Sequence, residues 1–534
     1  MILQKNWLCD MKMRYSETGE ERHGLCQGTV IGMRKVLLPL GALLVSVVIL
    51  LNWNSLSRQT GFSSMPEPGT EKPERARIYY GPSNSIAVLP FSHGGPVQQD
   101  AFFPAGFSGE LHRLVTRTPG LQVTSANSSF FFADQSVALP IIAERLKARH
   151  LLSGEAVHDD GRVLVSARLY DAKNKIQIWS ASFEGELGEI FTIQDDILRA
   201  VAETLKAGRK TELPRAVPVN PQAWMSRLQG IHYQAERTAP GLEKAEQAFQ
   251  AALDAEPGYA MAYVALAELW LGKNAAGEES GNLVEKAREA LAAALRSDPG
   301  LPAALRLSSY LQRNLDWNWQ AAAESAEQGL RLSPGDPELM STASLALFSL
   351  GRFERAGELL AASVRQDPLN LARRLRLGLL QEFAGDLDQA LSTYRQIIGL
   401  NPDFPGARAY RARVKLLQDK PDSALKESEL ETDPFWQRYS RILALTALGR
   451  EQEAEPLLEE MIGIHSGDSA YQLTEIMAYR NEPDKAFDWF QRAYEQKDGG
   501  MSEIIGNRFL VNLQDDPRWG EMLRRMGLPL DSIE

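Results

Sequence analysis

The chain has 534 residues, 44% of them hydrophobic and 24% charged, with a formal net charge of −11. That length allows about three domains with ample core, and the acidic balance argues against a nucleic-acid surface, which needs clustered lysine and arginine. The two cysteines, Cys9 and Cys26, form no Cys-x-x-Cys pair, which argues against a metal site, and nothing past Cys26 can form a disulfide.

From the N-terminus, Val36–Leu51 is an apolar run softened only by Ser46, and Trp53 beyond it suits a membrane interface. Counted to Trp53 the run is 18 residues, within the spanning range, so 36–53 is expected to be a transmembrane helix and the chain's route to a membrane. Arg22, Arg34 and Lys35 precede it and only Arg58 follows closely. The positive-inside rule then makes 1–35 a short cytoplasmic tail. The expected location is a cell inner membrane, single-pass, with the N-terminus cytoplasmic and the C-terminal domains periplasmic. A cleaved signal peptide is the rival reading, since Met33-Arg34-Lys35 has the form of a charged n-region. Asn52-Trp53-Asn54-Ser55-Leu56 is a poor cleavage site, however. Met33 is also an alternative start, which leaves the translation of 1–32 open. Residues 54–84 turn polar, with Pro66, Pro68, Pro73 and Pro82, and read as a linker reaching about 3 Å per residue.

Residues 85–207 read as a small mixed α/β domain. Ser85–Phe91 is a short buried strand, Phe107–Thr116 has helical spacing, Gln122–Thr124 is a strand and Leu139–Lys147 a helix. His150–His158 and Arg162–Tyr170 flank Asp159-Asp160-Gly161, a strong hairpin signal, with Val163, Val165, Ala167 and Leu169 facing one way. Ile176–Ala181 adds a strand and Ile190–Leu205 closes the domain as an amphipathic helix. Catalytic signals are missing: there is no P-loop, no His-Glu-x-x-His and no Gly-x-Gly-x-x-Gly after a strand. Gly106-Phe107-Ser108-Gly109 falls one residue short of a nucleophile elbow, and the seven histidines are scattered. No catalytic residue, cofactor or metal is expected.

Beyond 220 a different rule takes over. Glu256-Pro257, Asp298-Pro299, Ser333-Pro334, Asp367-Pro368, Asn401-Pro402 and Asp433-Pro434 place prolines 42, 35, 34, 34 and 32 positions apart. Proline cannot continue a helix, so the series reads as a series of helix ends. A glycine turn precedes each later stop, at Gly351, Gly385 and Gly449, and a small residue follows five positions on, at Ala356, Ala390 and Ala454. Ala245, Ala287, Ala322, Ala424 and Ala486 hold the matching place, where two antiparallel helices need close approach. Larger residues such as Phe249, Leu291, Leu360, Tyr394, Leu458 and Phe490 follow on the same helical face.

This stretch resembles the tetratricopeptide repeat family over roughly 220–500, with eight units, an insertion near Gly272–Gly281 in the second and a short second helix in the sixth. Residues 501–534 are expected to cap the apolar end of the solenoid. The middle domain resembles the TolB amino-terminal-like domain through Ile86-Ala87-Val88-Leu89-Pro90-Phe91, Phe103–Leu111, Pro119–Val123, Leu152-Ser153-Gly154-Glu155 and Gln177–Ser180. Members with this architecture often carry a winged-helix or nucleotide cyclase domain before a membrane span. About 35 residues here are too few for either, which makes a regulator of the transmembrane winged-helix family lacking its DNA-binding domain the alternative reading. The expected fold class is α+β: one transmembrane helix, a TolB-like α/β domain and an all-α tetratricopeptide superhelical solenoid. The resemblance implies a non-enzymatic membrane-anchored scaffold of the bacterial envelope with a protein or peptide partner. The first helices of such units line a concave face, and Arg373, Arg374, Arg376, Arg408, Arg411 and Arg413 cluster in those of units five and six. A basic groove of this kind suits an acidic peptide or a C-terminal carboxylate. The aromatic residues Tyr310, Trp317, Trp319, Phe348, Phe353, Tyr394, Tyr410, Trp436 and Tyr439 are expected to pack between helices.

Overall fold

The computed structural model describes residues 80–94, 100–133, 137–207, 213–277 and 282–528. The span expected at 36–53, its flanking tail and most of the linker lie outside them. Among the described residues no helix is long and apolar enough to cross a membrane. The expected fold class is corrected accordingly: what stands is a mostly helical repeat solenoid with a small sheet. The inner-membrane, single-pass location and the membrane as a partner lose their support with it.

The sheet contains β1 (Ser85–Val88), β2 (Gln122–Val123), β3 (His150–Asp159), β4 (Arg162–Asp171) and β5 (Ile176–Glu186), in the order β2-β1-β3-β4-β5. β1 runs parallel to both neighbours, and β3-β4-β5 is an antiparallel meander. Alternation along β1 feeds two cores. Ile86 and Val88 join Phe107, Leu111, Val165 and Ile197 beneath α1 (Phe102–Thr116) and α4 (Ile190–Leu205). Ala87 and Leu89 face Ile142 and Leu146 of α3 (Leu139–Leu146) on the other side. Val163, Val165, Ala167 and Leu169 are all fully buried, as the hairpin pattern requires. A short helix that the alternation does not announce, α2 (Ala126–Phe130), is started by the Ser125 hydroxyl accepting from the Asn127 amide.

Sixteen helices follow as eight pairs among the described residues: α5 (Pro221–Glu236) and α6 (Ala239–Ala255), α7 (Ala260–Ala275) and α8 (Leu283–Ser297), α9 (Pro302–Leu311) and α10 (Trp319–Leu332), α11 (Pro337–Ser349) and α12 (Phe353–Gln366). The second half comprises α13 (Leu371–Phe383) and α14 (Leu387–Leu400), α15 (Ala407–Leu417) and α16 (Pro421–Glu429), α17 (Pro434–Ala447) and α18 (Glu451–His465), and α19 (Ala470–Tyr479) and α20 (Pro483–Glu495). The eight alanines at the close-approach position are all fully buried, and the larger residues behind them are buried too. Gly351, Gly385 and Gly449 turn with positive φ after the first helix of their units, a conformation in which a Cβ is strained. One proline plays a different part from the rest. Pro434 opens α17 instead of ending α16, and Asp433 caps it by accepting from the Phe435 and Trp436 amides. Proline at a first helical position loses no hydrogen bond.

The α/β domain is fused to this solenoid. Trp224 and Leu228 of α5 enter its core, where the Trp224 ring lies 6.1 Å from both Phe103 and Phe191. Beside them Arg227 pairs with Glu110 and donates to the Tyr259 hydroxyl at 2.7 Å. Burial would push the Glu110 carboxyl up, but the Arg227 and Arg113 guanidiniums overcome it and hold it at about 2. Further along, Ser128 donates to Asp367 at 2.6 Å and accepts from the Leu369 amide, and the Ser125 amide donates to the Gln366 carbonyl at 2.7 Å.

Candidate interaction site

The first helices of units five to eight bring a set of polar side chains to the inner face of the solenoid. Arg413 of α15 donates through Nε and Nη2 to Glu382 of α13 at 3.1 and 3.0 Å, and through Nη1 to Glu475 of α19 at 2.7 Å. Its Nη1 also meets the Tyr439 hydroxyl of α17, which donates to Glu475 at 3.0 Å. Four helices thus converge on one guanidinium. All four side chains are buried, and burial pushes the Glu382 carboxyl and the Tyr439 hydroxyl up while Arg413 pulls both back.

The chain itself occupies this face. After α20 it runs as two 3-10 turns, 499–503 and 508–513, and then enters α21 (Pro517–Arg525). The Phe509 ring lies 4.4 Å beneath the Arg413 guanidinium. Asn507 donates to the Tyr471 hydroxyl and to Glu475, both at 2.7 Å. The Tyr471 hydroxyl donates to the Glu503 carbonyl at 3.2 Å, and Asn512 to the Ala478 carbonyl at 2.6 Å. At the far wall Arg313, just past α9, donates to Ser502 at 2.8 Å. Gly506 has φ +80°, and a Cβ there would lie 2.4 Å from the Phe353 ring. Met501, Ile504, Ile505, Phe509, Leu510 and Leu513 are all buried against the solenoid core. Burial pushes the Glu503 carboxyl up to about 8, with Arg313, Arg413 and Arg376 restraining the rise.

Six buried apolar side chains, each contributing about 1.5–3 kcal/mol before the cost of ordering the segment, favour its seat against the solenoid. The segment fills the inner face, which is not an open groove in this structure. Of residues 501–534, expected as a cap, the described part 501–528 divides between this insert and α21, where Trp519 packs on Phe490 at 5.7 Å. The third unit also meets the C-terminal region: Lys497 donates to the Leu315 carbonyl at 2.9 Å, Trp317 meets Tyr494 at 5.4 Å, and Trp319 donates to the Met526 carbonyl at 2.8 Å.

The six arginines singled out by the sequence fall into different places. Arg413 is the hub just described. Arg373 is buried, with Glu338 at 2.7 Å and Asp367 at 3.0 Å, and steadies the loop on which the α/β domain rests. Arg374 is buried and donates to Gln396 and to the Pro368 carbonyl, both at 2.9 Å. Arg376 is half-buried on the insert side, where burial lowers its pKa and Glu503 counters it. Arg408 and Arg411 both reach Glu427, at 3.8 and 2.9 Å, and keep 19% and 25% of their side chains exposed. Sequence spacing did not pick out Glu382, Glu475, Tyr471, Asn507 or Phe509, because their partners lie tens of residues away. Trp319, Phe348, Tyr394, Tyr410, Trp436 and Tyr439 are buried between helices, while Trp317 and Phe353 are partly so. Ser108 is buried with both hydroxyl roles filled, donating to the Pro104 carbonyl and accepting from the Phe91 amide, each at 2.7 Å.

Residues 318–370 and 375–435 match the family model for the tetratricopeptide repeat. The C-terminal region carries tetratricopeptide repeats. Among solved structures, Pseudomonas aeruginosa PilF is 19% identical, covering 40% of this chain and 95% of that one, with a TM-score of 0.32. A tetratricopeptide repeat protein from Parabacteroides merdae is 14% identical, covering 51% and 99%, with a TM-score of 0.35. Yeast Tom70 is 15% identical, covering 57% and 67%, with a TM-score of 0.34. Superpositions this loose add nothing to the repeat pattern. A curated relative from Rhizobium meliloti named "Putative adenylate cyclase 3" is 24% identical over 186 residues, 34% of this chain. The chain spans 32% of that relative's length.

Proposed function

We propose that the chain is a non-enzymatic scaffold that recognises a protein or peptide partner through its tetratricopeptide solenoid, with the α/β domain as a TolB amino-terminal-like module. The observation that carries this is the run of eight helix pairs among the described residues, with a buried alanine at each close approach, which builds an extended surface. The TolB-like assignment is supported by the ordered run of sequence segments from Ile86 to Ser180. Recognition by the arginine cluster narrows to Arg408 and Arg411, which retain exposed surface beside Glu427 and could hold a partner carboxylate through paired hydrogen bonds. The test is in-cell crosslinking of the full chain. A discrete crosslinked partner is expected, and Arg408→Glu with Arg411→Glu should reduce its yield while circular dichroism is unchanged. Equal yield would remove the arginines from the recognition surface, and no crosslinked partner at all would contradict the scaffold.

A second reading, a signalling regulator, is favoured by the stretch shared with the cyclase-named relative. A crosslinked partner that is itself a signalling enzyme would select it.

A further inference from the structure

The two edges of the sheet are built differently. β2 is two residues long, and the loop after the fourth repeat seats beside it, where the Ser125 amide donates to the Gln366 carbonyl and Ser128 donates to Asp367. β5 is eleven residues long, and among the described residues it pairs with β4 alone. A free edge presents a row of unmet amides and carbonyls, which proteins usually blunt with a short strand, a proline or a charge. β5 has no proline, and Ile176–Phe183 holds no charged residue. A register shift at Ile178 disturbs only its start, and Trp179–Glu186 then runs regularly against Arg162–Leu169.

The core face of this edge is unfinished. Trp179, Ala181 and Phe183 stand opposite Leu169, Ala167 and Val165 and share their face of the sheet. Those three β4 residues are fully buried, whereas Trp179, Ala181 and Phe183 stay half-buried. On the outer face the same stretch presents Ser180 and Ser182, both short and exposed.

Charge selects the occupant. The whole segment between β4 and α4, 172–189, carries five charged residues, all exposed: Lys173 and Lys175 before the strand, and Glu184, Glu186 and Glu189 at its end. The charges of β4 are already paired, Arg162 with Glu184, Arg168 with Glu155 and Asp171 with Arg149. Asp159 and Asp160 at the adjoining turn add to the acidic end. One end of the edge is therefore basic and the other acidic. A second copy laid antiparallel sets each lysine end against the acidic end of the other, whereas a parallel copy would set like against like. A two-fold axis at Ala181 places Trp179 opposite Phe183 of the second copy, Ser180 opposite its Ser182 and Ala181 opposite itself. The patch is self-complementary, as a two-fold contact requires.

We propose that β5 is a self-pairing edge, through which two copies of the chain join antiparallel about Ala181 into one continuous sheet. Each Trp179–Phe183 contact covers what a single copy leaves half-buried, and cross-strand aromatic pairs stabilise a sheet. Sedimentation of the full chain across a concentration series should show a monomer–dimer equilibrium. Ser180→Lys with Ser182→Lys sets lysine opposite lysine at both outer pairs and should raise the dissociation constant about tenfold or more. Both positions are exposed, so the melting temperature of the monomer should match the parent's. Ser180→Glu with Ser182→Glu should separate equally, and mixing the two variants should restore a dimer with one copy of each, because every lysine then faces a glutamate. A monomer at every concentration overturns the proposal and leaves the edge to a strand of another protein. A dimer that the lysines do not weaken places self-association elsewhere, and variants that separate but do not recombine show an edge that meets something other than itself; both overturn it.

Discussion

Two carboxyls set opposite pH responses. Glu503 is held at about 8 against an ordinary 4.5, so between those values the folded chain keeps a proton that the unfolded chain has released. Its stabilising effect is complete below about 4.5, declines as pH rises and is lost above about 8, at about 1.4 kcal/mol per pH unit. The buried carboxyls of Glu382 and Asp498 add to the same trend. The melting temperature should fall between pH 5.5 and 8.5, and Glu503→Gln should make the fall shallower. An unchanged slope would mean that Glu503 is not buried as described. Glu110, held at about 2, acts in reverse: its pairing with Arg227 is intact above about 4.5 and is lost as pH falls toward 2. At Ala390, fully buried where the helices of unit five meet, Ala390→Arg would bury a charge without a partner. It should cost several kcal/mol, read as a clear drop in melting temperature.

At the scale of elements, the insert 499–513 and the helices it lines depend on each other. Phe509→Ala should cost about 3–5 kcal/mol by opening a cavity beneath Arg413. It should lower the unfolding transition of the solenoid and leave the α/β hairpin with its own protection against exchange. Much of the element level was legible in the sequence because it is periodic. The alanine register, the Asp-Gly hairpin and the helix Ile190–Leu205 each follow from a local rule. The insert was not legible, because Gly499–Leu513 has no long period and its partners Arg413, Tyr471 and Phe353 are 32 to more than 100 positions away. Pro434 misled for a local reason: an Asp-Pro pair serves equally well to stop one helix or start the next.

At the scale of the molecule, the solenoid binds its own tail on the inside and its own α/β domain along one edge. Arg373 and Arg413 show why a charge count was a poor guide to the groove: both look like solvated charge in sequence and both are buried hubs. What remains for a partner lies on the outer surfaces, and this division depends on the insert being permanent. Hydrogen exchange of the full chain, followed at the amides of Ile504, Ile505, Phe509 and Leu510, tests that most directly. Those amides are predicted to exchange as slowly as the cores of α15 and α19, opening only with the solenoid itself. Exchange within seconds, while α15 and α19 stay protected, would show a tail that leaves the inner face freely and would return that face to the partner.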